Sequence, residues 1–184
     1  QNDQHGGQSV PNFDYALAVG VRKTYKRAYW KNLAEILDFM YDIDDKEGLV
    51  KQIGTDIEEQ YGVCPCMALD NNYLELEAEQ LKKYIPEEDI AKVQKKAVKF
   101  ADEEIEKRTY QAMEALIHNL NTMHSRAGAQ VPFSSINYGT DTSPEGRLVM
   151  KSILLATQAG LGNGETPIFP IQIFKVKEGV SYNP

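Results

Sequence analysis

Gln130-Val131-Pro132-Phe133-Ser134-Ser135-Ile136-Asn137-Tyr138-Gly139-Thr140-Asp141-Thr142-Ser143-Pro144-Glu145 carries the transition that decides the fold. Gln130 to Tyr138 is rich in aromatic and β-branched residues and reads as a strand. Ser143 then caps a helix with Pro144 at its first position and Glu145 in its first turn. Leu148, Val149, Ser152, Ile153 and Ala156 recur at helical spacing, and Gly160 ends the helix. After the loop Gly160-Leu161-Gly162-Asn163-Gly164, Ile168 to Val176 reads as a second strand, apolar on both faces. Strand, helix, strand in that order predicts a right-handed βαβ unit with parallel strands. Pro132 and Pro170 each remove a ladder donor and count against a central position.

Upstream of this unit the chain reads as helical. Phe13 to Tyr41 carries an apolar stripe through Leu33, Ile36, Leu37 and Met40. A shorter amphipathic segment, punctuated by Gly48 and Gly54, ends near Gly62, and Cys64-Pro65-Cys66 forms a turn. Pro86 opens the longest element, with Glu87, Glu88 and Asp89 against the positive end of the helix dipole. Its helical spacing runs almost to Ser125, about 60 Å at 1.5 Å per residue. A helix of that length calls for a large scaffold or a subunit interface. Residues 1–125 are thus expected to be mainly helical and 126–184 to form the βαβ unit. The opening stretch Gln1 to Ser9 reads as a polar turn around Gly6-Gly7. No internal repeat or low-complexity tract is present.

Composition narrows the function classes. The chain has 184 residues, 42% hydrophobic and 26% charged, and a net charge of −7. That balance disfavours binding to nucleic acid or an anionic membrane surface. No apolar run is long enough to span a bilayer, and the start has no signal-peptide pattern, so a cytoplasmic location is the default. Two cysteines are too few for a disulfide framework. The chain opens without methionine and closes just after a strand-like run, which reads as a piece cut from a longer protein.

Several residues could carry chemistry. Parallel α/β sheets bind ligands outside the carboxyl ends of their strands, here Asn137, Tyr138, Gly139 and Thr140. The N–H groups at the following helix start could hold a phosphate or carboxylate; alternatively Thr142 and Ser143 simply cap the helix. Gly6-Gly7 either lets a ligand approach the backbone or makes a tight turn. The loop at Gly160 lacks the Lys-Ser/Thr of a Walker loop and precedes a strand, so it reads as a helix stop. His5, His118 and His124 have no metal-ligand spacing. Cys64 and Cys66 lack a basic neighbour and a second pair, which favours structural thiols over a redox or zinc role. Arg22, Lys23, Lys26, Arg27 and Lys31 stand in a stretch without any acid between Asp14 and Glu35. That cluster fits either a polyphosphate contact or a solvated helix face.

Three long blocks carry a resemblance. They are Gln1-Asn2-Asp3-Gln4-His5-Gly6-Gly7-Gln8-Ser9-Val10-Pro11-Asn12-Phe13-Asp14-Tyr15, the run from Asn119 to Thr140, and Gly162-Asn163-Gly164-Glu165-Thr166-Pro167-Ile168-Phe169-Pro170-Ile171-Gln172-Ile173-Phe174. In this order they resemble the class III anaerobic ribonucleotide reductases. The stretch from about Asp44 to Ile105 is the least distinctive.

The resemblance implies a helix-rich α/β fold, a partial glycyl-radical-type barrel of ten strands with long outer helices. It implies a parent enzyme that reduces ribonucleoside triphosphates to deoxyribonucleotides through a glycyl and then a thiyl radical. That parent would need an S-adenosylmethionine-dependent activase, a zinc site and a reductant such as formate or a thiol system. It would also take deoxynucleotide or ATP effectors at a helical homodimer interface. The thiyl and glycyl-radical motifs are expected beyond Pro184 and a first barrel cysteine before Gln1, so this chain alone is expected to hold no cofactor and no catalytic residue. What remains for it is substrate contact at Ser134, Ser135, Asn137, Gly6 and Gly7, and effector contact at Lys26 and Arg27. The alternative is a non-catalytic helical module that dimerises and binds nucleotide effectors. A general phosphate-binding βαβ domain is the blander reading.

Overall fold

The computed structural model describes residues 7–41, 43–68, 72–122, 131 and 133–182. In chain order the elements are β1 (Gly7–Val10), α1 (Phe13–Tyr41), α2 (Lys46–Tyr61), α3 (Tyr73–Leu81), α4 (Glu87–Thr122), β2 (Phe133–Tyr138), α5 (Pro144–Ala159) and β3 (Ile171–Phe174). This is a helix-rich α/β arrangement whose three strands, among the described residues, form one parallel sheet in the order β1-β2-β3. A closed barrel is not present among them. The chain divides into two compact units, Gln1–Val21 with Glu106–Pro184, and Arg22–Ile105. No helix among the described residues is long and apolar enough to cross a membrane.

In the first unit the strands pair in register, Ser9 with Ser135 and Asn137 with Ile173. The parallel β2–β3 pairing with α5 between them matches the sequence expectation. Ser143 caps α5 by accepting from the Gly146 N–H at 3.1 Å, and the Gly160 N–H closes its end on Ala156 O. The buried face of α5 includes Leu148, Val149, Ser152, Ile153 and Ala156, as its periodicity predicts. Its Thr157 hydroxyl accepts from Gln172 Nε2 at 2.6 Å, and Gln172 Oε1 accepts from Tyr138 at 2.7 Å. The helix therefore serves the sheet face that carries Ser134, Ile136 and Tyr138, all at most 5% exposed.

Two readings of this unit need correction. The opening stretch is not only a polar turn, because Gly7–Val10 is a strand parallel to β2. A four-residue strand is held by its ladder and is too short to have a periodicity of its own. The second strand is also shorter than expected. Asn121 of α4 accepts from the N–H groups of Ile168 and Phe169 at 2.9 and 3.0 Å and donates to Phe169 O at 2.7 Å. That backbone is thus committed to a helix end rather than to a ladder, and Pro170 has no N–H to give. β3 begins at Ile171, on the edge where a preceding proline is tolerated.

The second unit is helical. Tyr25, Tyr29, Leu33 and Leu37 of α1 are at most 1% exposed, as are Val93, Ala97, Ala101 and Ile105 of α4. Gly54 lets α2 lie directly on Trp30, since a Cβ there would come within 2.5 Å of the indole. Asp45 opens α2 by accepting from the Gly48 N–H, and Gly62 closes it at φ 69°. Helix α3 has no counterpart in the sequence reading. Its buried stripe, Tyr73, Glu77 and Leu81, has an acid at its centre, which breaks the apolar pattern.

Candidate functional site at the carboxyl ends of the strands

Where β1, β2 and β3 end, side chains far apart in sequence are drawn together. Asp14, in the first turn of α1, is fully buried. Its Oδ2 accepts from three successive N–H groups, Gly139, Thr140 and Asp141, at 2.9, 3.0 and 3.0 Å. Its Oδ1 accepts from the Tyr15 N–H at 3.0 Å. Burial alone would raise the Asp14 pKa, but these four backbone donors outweigh it and hold the carboxyl below its ordinary value. Tyr15, half exposed, donates its hydroxyl to Thr140 O at 2.8 Å.

A second clamp comes from β3. The Lys175 N–H donates to Tyr138 O at 2.7 Å, and its ammonium donates to Pro11 O and, at 2.7 Å, to Asn12 Oδ1. Gly139 makes this close passage possible. It sits at φ 120°, and a Cβ there would meet Lys175 O at 2.8 Å. Asp141 accepts from the Ser143 N–H at 2.8 Å, and Gly146 leaves room for its carboxylate. The helix start is thus capped by its own side chains, and the adjoining N–H nest is filled by Asp14.

Strand alternation sorts the predicted substrate contacts. Ser135 and Asn137 share one face of β2, and Ser134 lies on the other, against the core. Ser135 donates to the Ser9 hydroxyl at 3.0 Å, linking β1 and β2 across that face. Asn137 Oδ1 is buried and accepts no hydrogen bond among the described residues; the same holds for Ser134 Oγ. Around Ser135 and Asn137, Phe133 is 56%, Ile171 40% and Ile173 45% exposed. Gly7 lies on β1, where a Cβ would come within 3.1 Å of Phe133 O. Gly6, His5 and His124 lie outside the described residues.

The predicted effector residues belong to the Arg22–Ile105 unit. Lys26 is ion-paired with Glu58 at 2.7 Å, and its ammonium lies 5.0 Å from the Trp30 ring centroid. Arg27, next along α1, is exposed. Cys64 and Cys66 are half-buried and form no disulfide, and Cys66 Sγ donates to Ala68 O. No cluster of three or more His, Cys, Asp or Glu suited to a metal occurs among the described residues. Asp14, Tyr15 and Lys175 escaped the sequence reading. The one signal available for Asp14 was an acid in a first helical turn, which normally marks only a favourable dipole contact.

The chain is 39% identical over 80 residues to the anaerobic ribonucleoside-triphosphate reductase of Haemophilus influenzae, 43% of this chain and 11% of that protein. It is 37% identical over 84 residues to the Escherichia coli enzyme of the same name, 45% of this chain and 12% of that protein. The enzyme of that name from Enterobacteria phage T4 is 41% identical over 86 residues, 46% of this chain and 14% of that protein. The chain therefore matches only a small part of the length of these relatives. The model of the family described as anaerobic ribonucleoside-triphosphate reductase matches residues 1–184. With that match over its whole length, the chain belongs to the anaerobic ribonucleoside-triphosphate reductase family.

Proposed function

We propose that this segment serves in an enzyme that reduces ribonucleoside triphosphates to deoxyribonucleotides in the cytoplasm, and that its sheet forms part of the barrel around the substrate. One observation carries the reading. Parallel sheets are normally covered on both faces, yet the face bearing Ser9, Ser135 and Asn137 is rimmed by exposed Phe133, Ile171 and Ile173. Further strands of a glycyl-radical-type barrel would close over it and leave the hydroxyls and the amide toward the ligand. The buried Asn137 Oδ1 accepts nothing among the described residues, so a donor such as a ribose hydroxyl would satisfy it. The radical glycine, its S-adenosylmethionine-dependent activase, the zinc site and a reductant such as formate belong, in this reading, to other parts of the enzyme.

The test is Asn137→Ala in a full-length reductase carrying this segment. An orphaned acceptor contributes nothing to folding, so melting temperature should hold or rise slightly. kcat/KM should fall about tenfold, the value of one hydrogen bond near 1.4 kcal/mol. Unchanged kinetics would return Asn137 to a purely structural part.

A second reading, a helical surface for a homodimer and a deoxynucleotide or ATP effector, has its own support in the Arg22–Ile105 unit. Phe39 is 92% exposed beside an open cavity of about 310 Å³ that Ile36, Met40, Lys96 and Phe100 also line. Because Lys26 already serves Glu58, Arg27→Glu is the cleaner probe of effector contact. Calorimetric titration at matched salt should show deoxynucleotide affinity weakened about tenfold, as expected for loss of one charge-assisted hydrogen bond. Equal affinities would make Arg27 a solvated side chain.

A further inference from the structure

We infer that Lys175 holds a phosphoryl oxygen of the ribonucleotide at the carboxyl edge of the sheet; the inference rests on the function proposed above. Ligands of open parallel sheets sit outside the carboxyl ends of the strands, and an anion there is commonly bound by the N–H groups of the next helix. In this chain five of the N–H groups at this turn and helix start are taken. Asp14 Oδ2 accepts from Gly139, Thr140 and Asp141, Asp141 accepts from Ser143, and Ser143 accepts from Gly146. An anionic ligand at this edge therefore gains most from a side-chain cation.

Lys175 stands where that cation is needed. It follows the last residue of β3, and its ammonium reaches Pro11 and Asn12, which follow β1. With β2 between those strands, the side chain crosses the end of the central strand. Both oxygens it meets are neutral, and no ion pair with a carboxylate of the described residues is made. An ammonium has three donors, so one remains for a ligand after Pro11 O and Asn12 Oδ1 are served. Its backbone is fixed by the bond to Tyr138 O and by the close passage at Gly139. Asn12 and Tyr15 are exposed beside it and offer further polar contacts. Arg147, exposed one turn into α5, and Lys177, exposed two residues past Lys175, are other cations near in sequence.

The experiment uses a full-length reductase carrying this segment, at saturating effector. Lys175→Gln keeps an amide donor for Pro11 O but loses the charge. Its KM for the ribonucleoside triphosphate should rise about 10- to 100-fold, the value of a hydrogen bond to a charged group. The inhibition constant of the matching nucleoside, which has no phosphate, should shift less than about twofold, and kcat at saturation should be largely kept. Lys175→Arg should recover part of the loss, melting temperature should stay near wild type in both variants, and Arg147→Ala should behave as wild type. If KM and the nucleoside constant move together, or neither moves, Lys175 is only a strap and the inference is overturned. An active wild type with an unaltered Lys175→Gln variant removes this inference alone. A wild type that reduces no ribonucleotide under activating conditions removes the proposed function and the inference with it.

Discussion

Asp14→Ala costs the fold at least about 3 kcal/mol in urea or guanidinium unfolding, because four backbone donors lose their acceptor, at about 1–3 kcal/mol for each one buried. Gly139 and Asp141 are buried, so water cannot replace the lost acceptor there. Asp14→Asn, which keeps one carbonyl oxygen, should lose about half as much. The effect has a defined pH window. The folded pKa lies below the ordinary 3.8, so the carboxylate's contribution is complete above that value. It disappears as pH falls through the lowered folded value. Stability of the wild type should drop on acidification over that range, and the Asn variant should show a flatter profile. An Asp14→Ala protein as stable as wild type would mean that the loop from Gly139 to Asp141 is held by something other than this carboxylate.

Glu77→Ala should be comparably damaging in the helical unit, about 3–5 kcal/mol, from a cavity plus two abandoned donors. Glu77 is fully buried and accepts from Tyr29 at 2.5 Å and from Gln94 at 2.9 Å. Tyr73 stands edge-on to Tyr29 and accepts from Trp30, so the acid lies at the centre of an aromatic network. Burial pushes the Glu77 carboxyl above its ordinary 4.5, outweighing the hydrogen bonds that pull it down. Burial, followed by the charge of Glu77, drives the Tyr29 hydroxyl upward as well. The sign is opposite to that of Asp14. A raised acid favours the fold fully below its unfolded pKa, and that favour is lost as pH rises through the folded value. Glu77→Gln keeps an acceptor for Tyr29 and removes the titration, so its stability should be flat over the same range. Identical pH profiles in wild type and the Gln variant would show that Glu77 does not titrate with folding.

The sequence made some of this plain and left some of it hidden, for physical reasons. Helix α1 was readable from its apolar repeat, and α5 from Ser143, Pro144 and Gly160, because caps and periodicity are local signals. The parallel β2–β3 pair followed from the helix between the two strands. Strand β1 was invisible, since four short residues with one apolar side chain, Val10, gain their order from the ladder with β2. Helix α3 was hidden by Glu77, whose burial depends on Tyr29 and Gln94, which lie 48 and 17 residues away in sequence. At the candidate site, Ser135 and Asn137 could be named from their place near a strand end, although alternation alone could not say that Ser134 turns to the core. Asp14 lies 125 residues from Gly139, and Lys175 lies 164 from Pro11. Contacts closed over that distance leave no periodic trace, so an anion site at the helix start and an internal carboxylate filling it look alike in the sequence.

The most direct test of the central claim is a crystal structure of a full-length reductase carrying this segment with ribonucleoside triphosphate bound. The sugar should lie over the sheet face of Ser135 and Asn137, with a donor about 3 Å from Asn137 Oδ1, and the phosphates toward Lys175. Apolar protein packed against that face, with the nucleotide bound elsewhere, would contradict it.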